Sequence, residues 1–295
     1  MRRWLVVLGI VLALLTGCAR VEPTAEAAAA AAQAFMESLA AGDFDRVWNA
    51  LTPEAQRRMG TAPVAAYLDD HQVTFAAVDA AREVEPGVMR VAVRGVAVRD
   101  PGRTVEWPEW WLTLRWEEDR WAVAWAEPLF EPALSAYHNT DYPEQLDLAR
   151  DIVAIDPHHY RGHLELHYAF RGLGRIRQAE HALNAAWARA TGAQRADVMA
   201  ARARFKLAIG APAEALALAR EALSLARPYA PGTYSASWQA ETLIVGARAA
   251  LALGDREAAQ ALADEAAELD PANAALAVFR YQLAAEGRLQ IGSAR

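Results

Sequence analysis

The chain has 295 residues, 54% of them hydrophobic, and 30 basic side chains stand against 37 acidic ones for a formal charge of −7 at pH 7. An acidic protein is a poor ligand for nucleic acid or anionic lipid, so the composition argues against nucleic-acid binding. The single cysteine, Cys18, cannot form an internal disulfide. The length is enough for two hydrophobic cores, and the sequence changes character near residue 130.

The first 18 residues combine a basic start, an apolar run and the cysteine. Two arginines precede an apolar run over residues 4–15, which at about 12 residues is well short of the roughly 20 needed to cross a bilayer. The run ends at Leu15-Thr16-Gly17-Cys18, which resembles the lipobox of bacterial lipoprotein signal peptides. The resemblance implies that residues 1–17 are removed as a signal peptide and that Cys18 carries acyl chains such as palmitate.

A lipid anchor would set both the location and the charge of the mature chain. Without residues 1–17, 28 basic side chains remain against 37 acidic ones, a formal charge of −9. Membrane adhesion is therefore expected from the acyl chains on Cys18, of which more than one is needed for stable anchoring. Residues 18–25 would form a tether, and the protein would face the periplasm or exterior from the cell membrane or outer membrane. The alternative interpretation is an uncleaved membrane anchor.

Residues 26–130 are predicted to fold as an α+β domain, with helices first and strands afterwards. The first helix is expected to begin near residue 25, with Thr24 as its N-cap. Further helices are expected over residues 44–51, from Pro53 onward and over residues 64–70.

From Val73 the hydrophobic period changes from helical to alternating, which predicts an antiparallel meander of about four strands with one apolar side. Gly95 interrupts the alternating valines and is expected to mark a bulge or bend. Six of the ten tryptophans lie between Trp107 and Trp125. We interpret them mainly as core residues, and ligand stacking at the mouth of the domain is the alternative. Trp111 is expected to be exposed or to meet the neighbouring domain.

Three segments of this domain resemble the nuclear-transport-factor-two-like cone fold: residues 35–39, residues 41–45 leading to Trp48, and the hairpin at 116–121. That superfamily also holds ketosteroid isomerases and many extracytoplasmic binding domains. The resemblance therefore implies an alternative function, in which the cone binds a small ligand or, less favoured, performs proton transfer. Catalysis would need a carboxylate or histidine that projects into the cone. The candidates by spacing are Asp69, Asp70 and His71, with Tyr67 nearby, although a solvated helix end is the preferred interpretation.

Residues 131–141 are predicted to form a connector, and residues 142–290 are alanine-rich and helical. Three glycines in this part are each followed by an alanine five residues later and by another twelve residues later. These positions are Gly174, Gly210 and Gly254, then Ala179, Ala215 and Ala259, then Ala186, Ala222 and Ala266. Glycine permits a tight turn, and two alanines on one helix face let a partner helix approach closely.

This pattern resembles the tetratricopeptide repeat, in which pairs of helices A and B stack. The resemblance implies an all-α repeat domain with full units near residues 160–193, 196–229 and 240–273, a half-unit near 142–157 and a closing helix near 274–286. Arrays of this family use the inner face of their A helices to hold an extended peptide or a partner helix. The residues implied for that face are Arg161, Leu164, Tyr168, Arg171, Arg204, Leu207, Arg248 and Leu251.

Arginine pairs with carboxylates in a bidentate way, and Tyr168 offers a stacking surface, so this face is a candidate peptide-binding groove. The alternative is a solvated face with ordinary intrahelical pairs. Asp197 and Glu241 share the face, and the Lys/Asn pattern of carboxylate-clamp arrays is absent.

His163 and His167 lie one turn apart, a spacing that can hold a metal ion from one helix face. Both stand where the repeat packs helix A against helix B, and no recognised ligand completes a site, so neither a metal nor a cofactor is predicted. The chain has no phosphate-binding loop, nucleophile elbow or paired carboxylate motif, so no catalytic residue is assigned. We therefore expect a non-enzymatic, membrane-anchored scaffold or adaptor whose partner is an envelope protein or peptide.

Overall fold

The computed structural model describes residues 23–100, 103–229 and 234–293. They belong to two units: the first holds residues 23–100 and 109–125, and the second holds residues 103–108 and the chain from Ala126 onward. The signal peptide over residues 1–17, Cys18 and most of the tether lie outside the described residues. In the parts that are described, no helix has the length and apolar character needed to span a membrane.

The first unit begins with four helices, and the first three of them start at a side-chain N-cap. They are α1 (Ala25–Ala40), α2 (Phe44–Ala50), α3 (Pro53–Met59) and α4 (Thr61–Asp70). The hydroxyl of Thr24 accepts a hydrogen bond from the Ala27 amide at 3.2 Å, and Thr52 caps α3 in the same way. Such side chains satisfy amides that the first helical turn leaves without partners. The predicted start of α1 is confirmed.

The strands that follow form one curled antiparallel sheet. They are β1 (Gln72–Thr74), β2 (Ala77–Val78), β3 (Arg82–Glu85), β4 (Val88–Asp100), β5 (Arg103–Glu117) and β6 (Arg120–Ala124). The first three pair with β4, which is followed in the sheet by β5 and then β6. Gly95, in the middle of β4, has a φ of +61°. Val93 and Val96 on either side of it are both buried, so the inward face changes phase there as the sequence predicted.

Helix α1 lies against the sheet and supplies much of the core of the first unit. Phe35 and Met36 are fully buried together with Leu114 of β5 and Val123 of β6. The Trp125 ring meets Phe35 edge-on, with ring centres 5.6 Å apart. An α+β arrangement of helices on a curled antiparallel sheet is thereby established.

The second unit is a stack of helical pairs. A short 3-10 turn (Glu127–Leu129) leads into α5 (Phe130–His138), α6 (Tyr142–Ile155), α7 (Tyr160–Gly172), α8 (Ile176–Arg189), α9 (Gln194–Ala208), α10 (Pro212–Ala226), α11 (Ala236–Ala252), α12 (Arg256–Leu269) and α13 (Ala274–Ser293). The predicted full units coincide with the pairs α7/α8, α9/α10 and α11/α12. Helix α13 closes the stack, as expected.

The predicted close contact between the two helices of a pair, lined by alanines of the second helix, is present in all three of these pairs. We call this contact the seam. Each alanine five or twelve residues after a turn glycine has no exposed surface. The turn glycines Gly174, Gly210 and Gly254 have φ values of +70°, +78° and +82°, a region that glycine enters without a Cβ clash. Small side chains inside the pairs and glycine at the turns therefore fix the helix-pair geometry.

The stretch 131–141 is not a simple connector, and this expectation is corrected. It is mostly helix α5, which packs on α6 as the A helix of a first, additional pair. Thr140 takes the place of the turn glycine, with a φ of +59°. Gln145 and Ile152, five and twelve residues later, occupy the seam positions and are fully buried. The half-unit near 142–157 is thus the B helix of a complete pair.

Candidate functional site: the A-helix face of the repeat unit

The A helices of the four pairs present equivalent positions on one side. Residues thirteen, six and three positions before each turn residue lie on the same face, because their spacings of seven and three are close to whole turns. In the first pair the residue thirteen positions before the turn is Glu127, which lies in the 3-10 turn before α5. We name this set the A-helix face. It consists of Glu127, Leu134, Tyr137, Arg161, Tyr168, Arg171, Asp197, Arg204, Leu207, Glu241, Arg248 and Leu251.

Leu164 is the predicted groove residue that the structure places elsewhere. It is 6% exposed and packs with Ala179 and Leu183 of α8. An aliphatic side chain gains more from this core than from solvent. Leu164 supports the face from beneath and does not line it.

One end of the A-helix face is organised by Glu127. Its carboxylate lies 3.3 Å from His159 Nε2 and 3.7 Å from an Arg161 amino group. The Arg161 guanidinium also lies over the Phe130 ring, 4.2 Å from its centre, in cation–π geometry. These contacts join the start of the first pair to helix α7, so the predicted groove residue Arg161 is engaged within the protein.

Asp197 lies in the middle of the face and is held by the preceding repeat. The Tyr160 hydroxyl donates a hydrogen bond of 2.9 Å to it. Burial raises the pKa of Asp197, although this hydrogen bond and the positive charges of Arg161 and Arg204 act in the opposite direction. Glu165 is buried one turn after Arg161. Burial raises the pKa of Glu165, whereas the charge of Arg161 and the hydrogen bond from the Gln145 amide lower it.

Beside Asp197, two arginines and two tyrosines from three A helices come together. Arg171 donates a hydrogen bond of 3.3 Å to the Tyr137 hydroxyl, and its guanidinium lies 5.6 Å from the centre of the Tyr168 ring. The two tyrosine rings are 5.7 Å apart. Arg204 interacts electrostatically with the hydroxyls of both. Burial raises the pKa of Tyr168, so its hydroxyl remains a hydrogen-bond donor at neutral pH.

On α9 and α11, the arginines of the A-helix face have few acidic partners. Arg204 has one ion-pair partner among the described residues, Glu241, at 3.6 Å, and the Glu241 side chain is 52% exposed. Arg248, one repeat further on, has a buried Nε with no hydrogen-bond partner among the same residues. The face therefore offers guanidinium groups that the fold only partly satisfies.

The residues considered for catalysis in the first unit lie at the end of α4 and around an open depression of about 430 Å³. Asp69 and Asp70 line this depression and are exposed. The His71 ring stacks on Tyr67, with ring centres 4.2 Å apart, and its Nδ1 is 3.0 Å from the Tyr67 carbonyl oxygen. His71 is therefore held by its own helix, and the structure does not pair it with either aspartate.

The tryptophans of the first unit that the structure describes mainly serve packing. Trp125 contacts Phe35 and also Tyr67, whose ring centre is 5.1 Å away. Trp121 meets Trp116 edge-on across the β5–β6 hairpin. Trp111 is half-buried under the guanidinium of Arg90, 4.8 Å from the ring centre. The side chain of Trp107 lies outside the described residues.

His163 and His167 each direct a ring nitrogen to a backbone carbonyl. His163 Nε2 is 3.0 Å from Pro157 O, and His167 Nδ1 is 2.9 Å from Ala179 O across the α7/α8 seam. Burial lowers the pKa of His167 to about 4 and also lowers that of His163. Within the described ranges no three metal-ligating side chains come together.

Sequence reasoning missed the contribution of the first pair, which supplies Glu127 and Tyr137. The signal that could have found it is Thr140, which stands 34 residues before Gly174 and is followed at the seam offsets by Gln145 and Ile152. None of these three residues has the expected glycine or alanine character.

No protein-family profile matches the chain, and no curated protein matches it. Among solved structures it is similar to Pseudomonas aeruginosa pilF, with 16% identity and a TM-score of 0.47 over 56% of this chain and 70% of that chain. It is also similar to a thermophilic TPR protein of Thermus thermophilus, with 21% identity and a TM-score of 0.44 over 54% of this chain and 80% of that chain. TPR-like repeats from Podospora anserina match with 20% identity and a TM-score of 0.37 over 52% of this chain and 76% of that chain. The helical pairs described above establish the helical-repeat architecture of the second unit.

Proposed function

We propose that the protein is a lipid-anchored extracytoplasmic scaffold that binds a protein partner through the A-helix face of a tetratricopeptide-type array. The observation that carries this proposal is the convergence of Tyr137, Tyr168, Arg171 and Arg204 from three consecutive A helices. Tyrosine and arginine, together with tryptophan, are enriched at the energetic centres of protein interfaces. Helices of a packed array hold such side chains in a fixed arrangement, which lowers the entropic cost of binding.

Site-specific photocrosslinking in cells tests the binding face. A crosslinking residue at Leu207, on the A-helix face, should give a discrete adduct with a partner protein. The matched control is Ile176, which is 43% exposed at the start of a B helix and should not give that adduct. Replacing both Arg204 and Arg248 by glutamate should abolish the Leu207 adduct, and circular dichroism of the purified variant checks that it remains folded. An adduct that survives this double substitution would place the binding surface elsewhere.

The anchor rests on the lipobox resemblance at Cys18. Acylation of this residue predicts that Cys18→Ser leaves the protein soluble in the periplasmic or extracellular fraction after cell lysis without detergent, because serine accepts no thioether-linked lipid. Ala19→Ser keeps the cysteine and serves as the control for changes in the cleavage region. Unchanged membrane association of Cys18→Ser would contradict the anchor.

We assign the first unit a supporting role in this scaffold. Its sheet and helices resemble the cone fold in their order, and Trp125 fills the space between Phe35 of α1 and Tyr67 of α4. This packing supports the core interpretation of the tryptophans over that of ligand-stacking residues.

A further inference from the structure

The cluster of Tyr137, Tyr168, Arg171 and Arg204 has an excess of donors for a negatively charged group. Its two guanidinium groups and two phenol hydroxyls are all hydrogen-bond donors. Within the described ranges no carboxylate lies in ion-pair distance of Arg171, whose contacts are the Tyr137 hydroxyl and the Tyr168 ring. Both arginines interact with the same two tyrosines, so the two guanidinium groups lie beside one pair of phenol rings.

Glu241 shows what kind of group can approach Arg204. Its carboxylate lies 3.6 Å from the guanidinium, longer than a strong charge-assisted hydrogen bond, and half of the side chain is exposed. The Arg204 side chain is 26% exposed, and solvent around Glu241 screens the pair and weakens it. Glu241 is therefore a loosely held internal ligand that another carboxylate can displace.

We propose that Arg171 and Arg204, with the hydroxyls of Tyr137 and Tyr168, form a subsite for an aspartate or glutamate side chain of the bound partner, and that Glu241 competes for this subsite in the free protein. This inference rests on the function proposed above. The cluster lies on α5, α7 and α9, while the A-helix face continues beyond it to Arg248 and Leu251 on α11. Because the face continues beyond the cluster on this side, we assign the acid to a side chain within a segment that extends along the face, and the test below separates it from a chain terminus.

The test titrates the full mature chain, solubilised in detergent, with pools of eleven-residue peptides that are capped at both ends and neutral at ten positions. The central residue is glutamate in one pool, glutamine in a second and phosphoserine in a third, and a fourth pool has central glutamine with a free carboxyl terminus. NMR signals of the arginine Nε–H groups report on the subsite, and backbone signals of Leu207 and Leu251 report on the face as a whole.

We expect the glutamate pool to shift the Nε–H signals of Arg171 and Arg204 and to bind about tenfold more tightly than the glutamine pool. Arg171→Gln and Arg204→Gln should each remove this preference. Glu241→Gln should strengthen binding of the glutamate pool about two- to fivefold, because the internal competitor is lost. The control is Arg202→Gln: Arg202 is also on α9 but bonds to Asn184 and lies over the Trp187 ring, so the preference should stay unchanged.

If the glutamate and glutamine pools shift the NMR signals of the A-helix face equally, the subsite proposal is wrong but the face still binds peptide. Tighter binding of the phosphoserine pool would replace a carboxylate by a phosphate as ligand, and a preference confined to the fourth pool would replace a side chain by a terminus. Both results overturn the proposal. If none of the pools moves the signals of Leu207 or Leu251, the subsite and the binding face fail together.

Discussion

Replacing either of two helical glycines of the second unit by alanine should change the free energy of unfolding, but in opposite directions. Gly162 in α7 and Gly246 in α11 both lack a positive φ, so helix propensity favours alanine at each by up to about 1 kcal/mol. Their surroundings differ. A methyl group at Gly162 would lie 2.7 Å from Ile152 Cγ2, whereas the nearest atom to one at Gly246 is Leu262 Cδ1 at 3.5 Å.

The contact at Gly162 cannot be relieved by a small rotation. Ile152 is fully buried, and its Cγ2 is attached to a branched Cβ whose rotamer is restricted in a helix. Forcing an extra methyl group into a packed site costs about 1–3 kcal/mol. After the gain in helix propensity, Gly162→Ala should lower the free energy of unfolding by up to about 2 kcal/mol. Gly246→Ala should raise it by about 1 kcal/mol, since 3.5 Å is an ordinary van der Waals distance.

Urea unfolding followed by circular dichroism at the helix band measures both changes against the parent protein. An unchanged m-value would show that the substitutions alter stability and not the surface exposed on unfolding. If Gly162→Ala is as stable as Gly246→Ala, the close contact with Ile152 does not control the α6/α7 packing and the reasoning is refuted.

Two further substitutions test buried and strained positions of the repeat unit. The pKa of His167 is about 4 in the folded protein and 6.5 ordinarily. As the pH falls, the unfolded chain takes up a proton on this residue before the folded protein does. The free energy of unfolding therefore keeps its full value above pH 6.5 and should be about 2 kcal/mol lower at about pH 5. His167→Gln should lack this slope while the exposed His181→Gln keeps it, and parallel urea curves for both would contradict the assignment. Thr140→Gly should raise the free energy of unfolding by about 1 kcal/mol, because glycine tolerates a φ of +59° better than a β-branched residue. A loss of thermal stability would count against strain at that turn.

Much of the helical-repeat architecture could be predicted because it depends on local spacing. Gly174 and the alanines at its seam offsets mark a turn and a close helix contact within a short stretch of sequence. The additional first pair could not be found in this way. Thr140 reaches the turn conformation without being glycine, and its hydroxyl donates a hydrogen bond of 2.6 Å to the Asn139 carbonyl. Gln145 fills its seam position with an amide that bonds to Glu165.

The sequence identified most of the side chains on the A-helix face, but it did not show which of them contact each other. Arginine and tyrosine positions of the face followed from the repeat pattern. Leu164 did not belong to the surface, because its position, ten residues before the turn residue, faces the core; the equivalent Phe130, Ala200 and Ile244 are buried too. Glu127 and Tyr137 were missed with the first pair.

The sequence by itself determined where helices begin and end and which small residues let them pair, since caps, turns and seams act over a few residues. Only the tertiary structure decided which charges of the A-helix face meet. Tyr160 bonds to Asp197, and Arg204 pairs with Glu241, in each case 37 residues along the chain. The stacking of one pair on the next brings these groups together, and that stacking depends on burial of the whole seam and not on any local pattern.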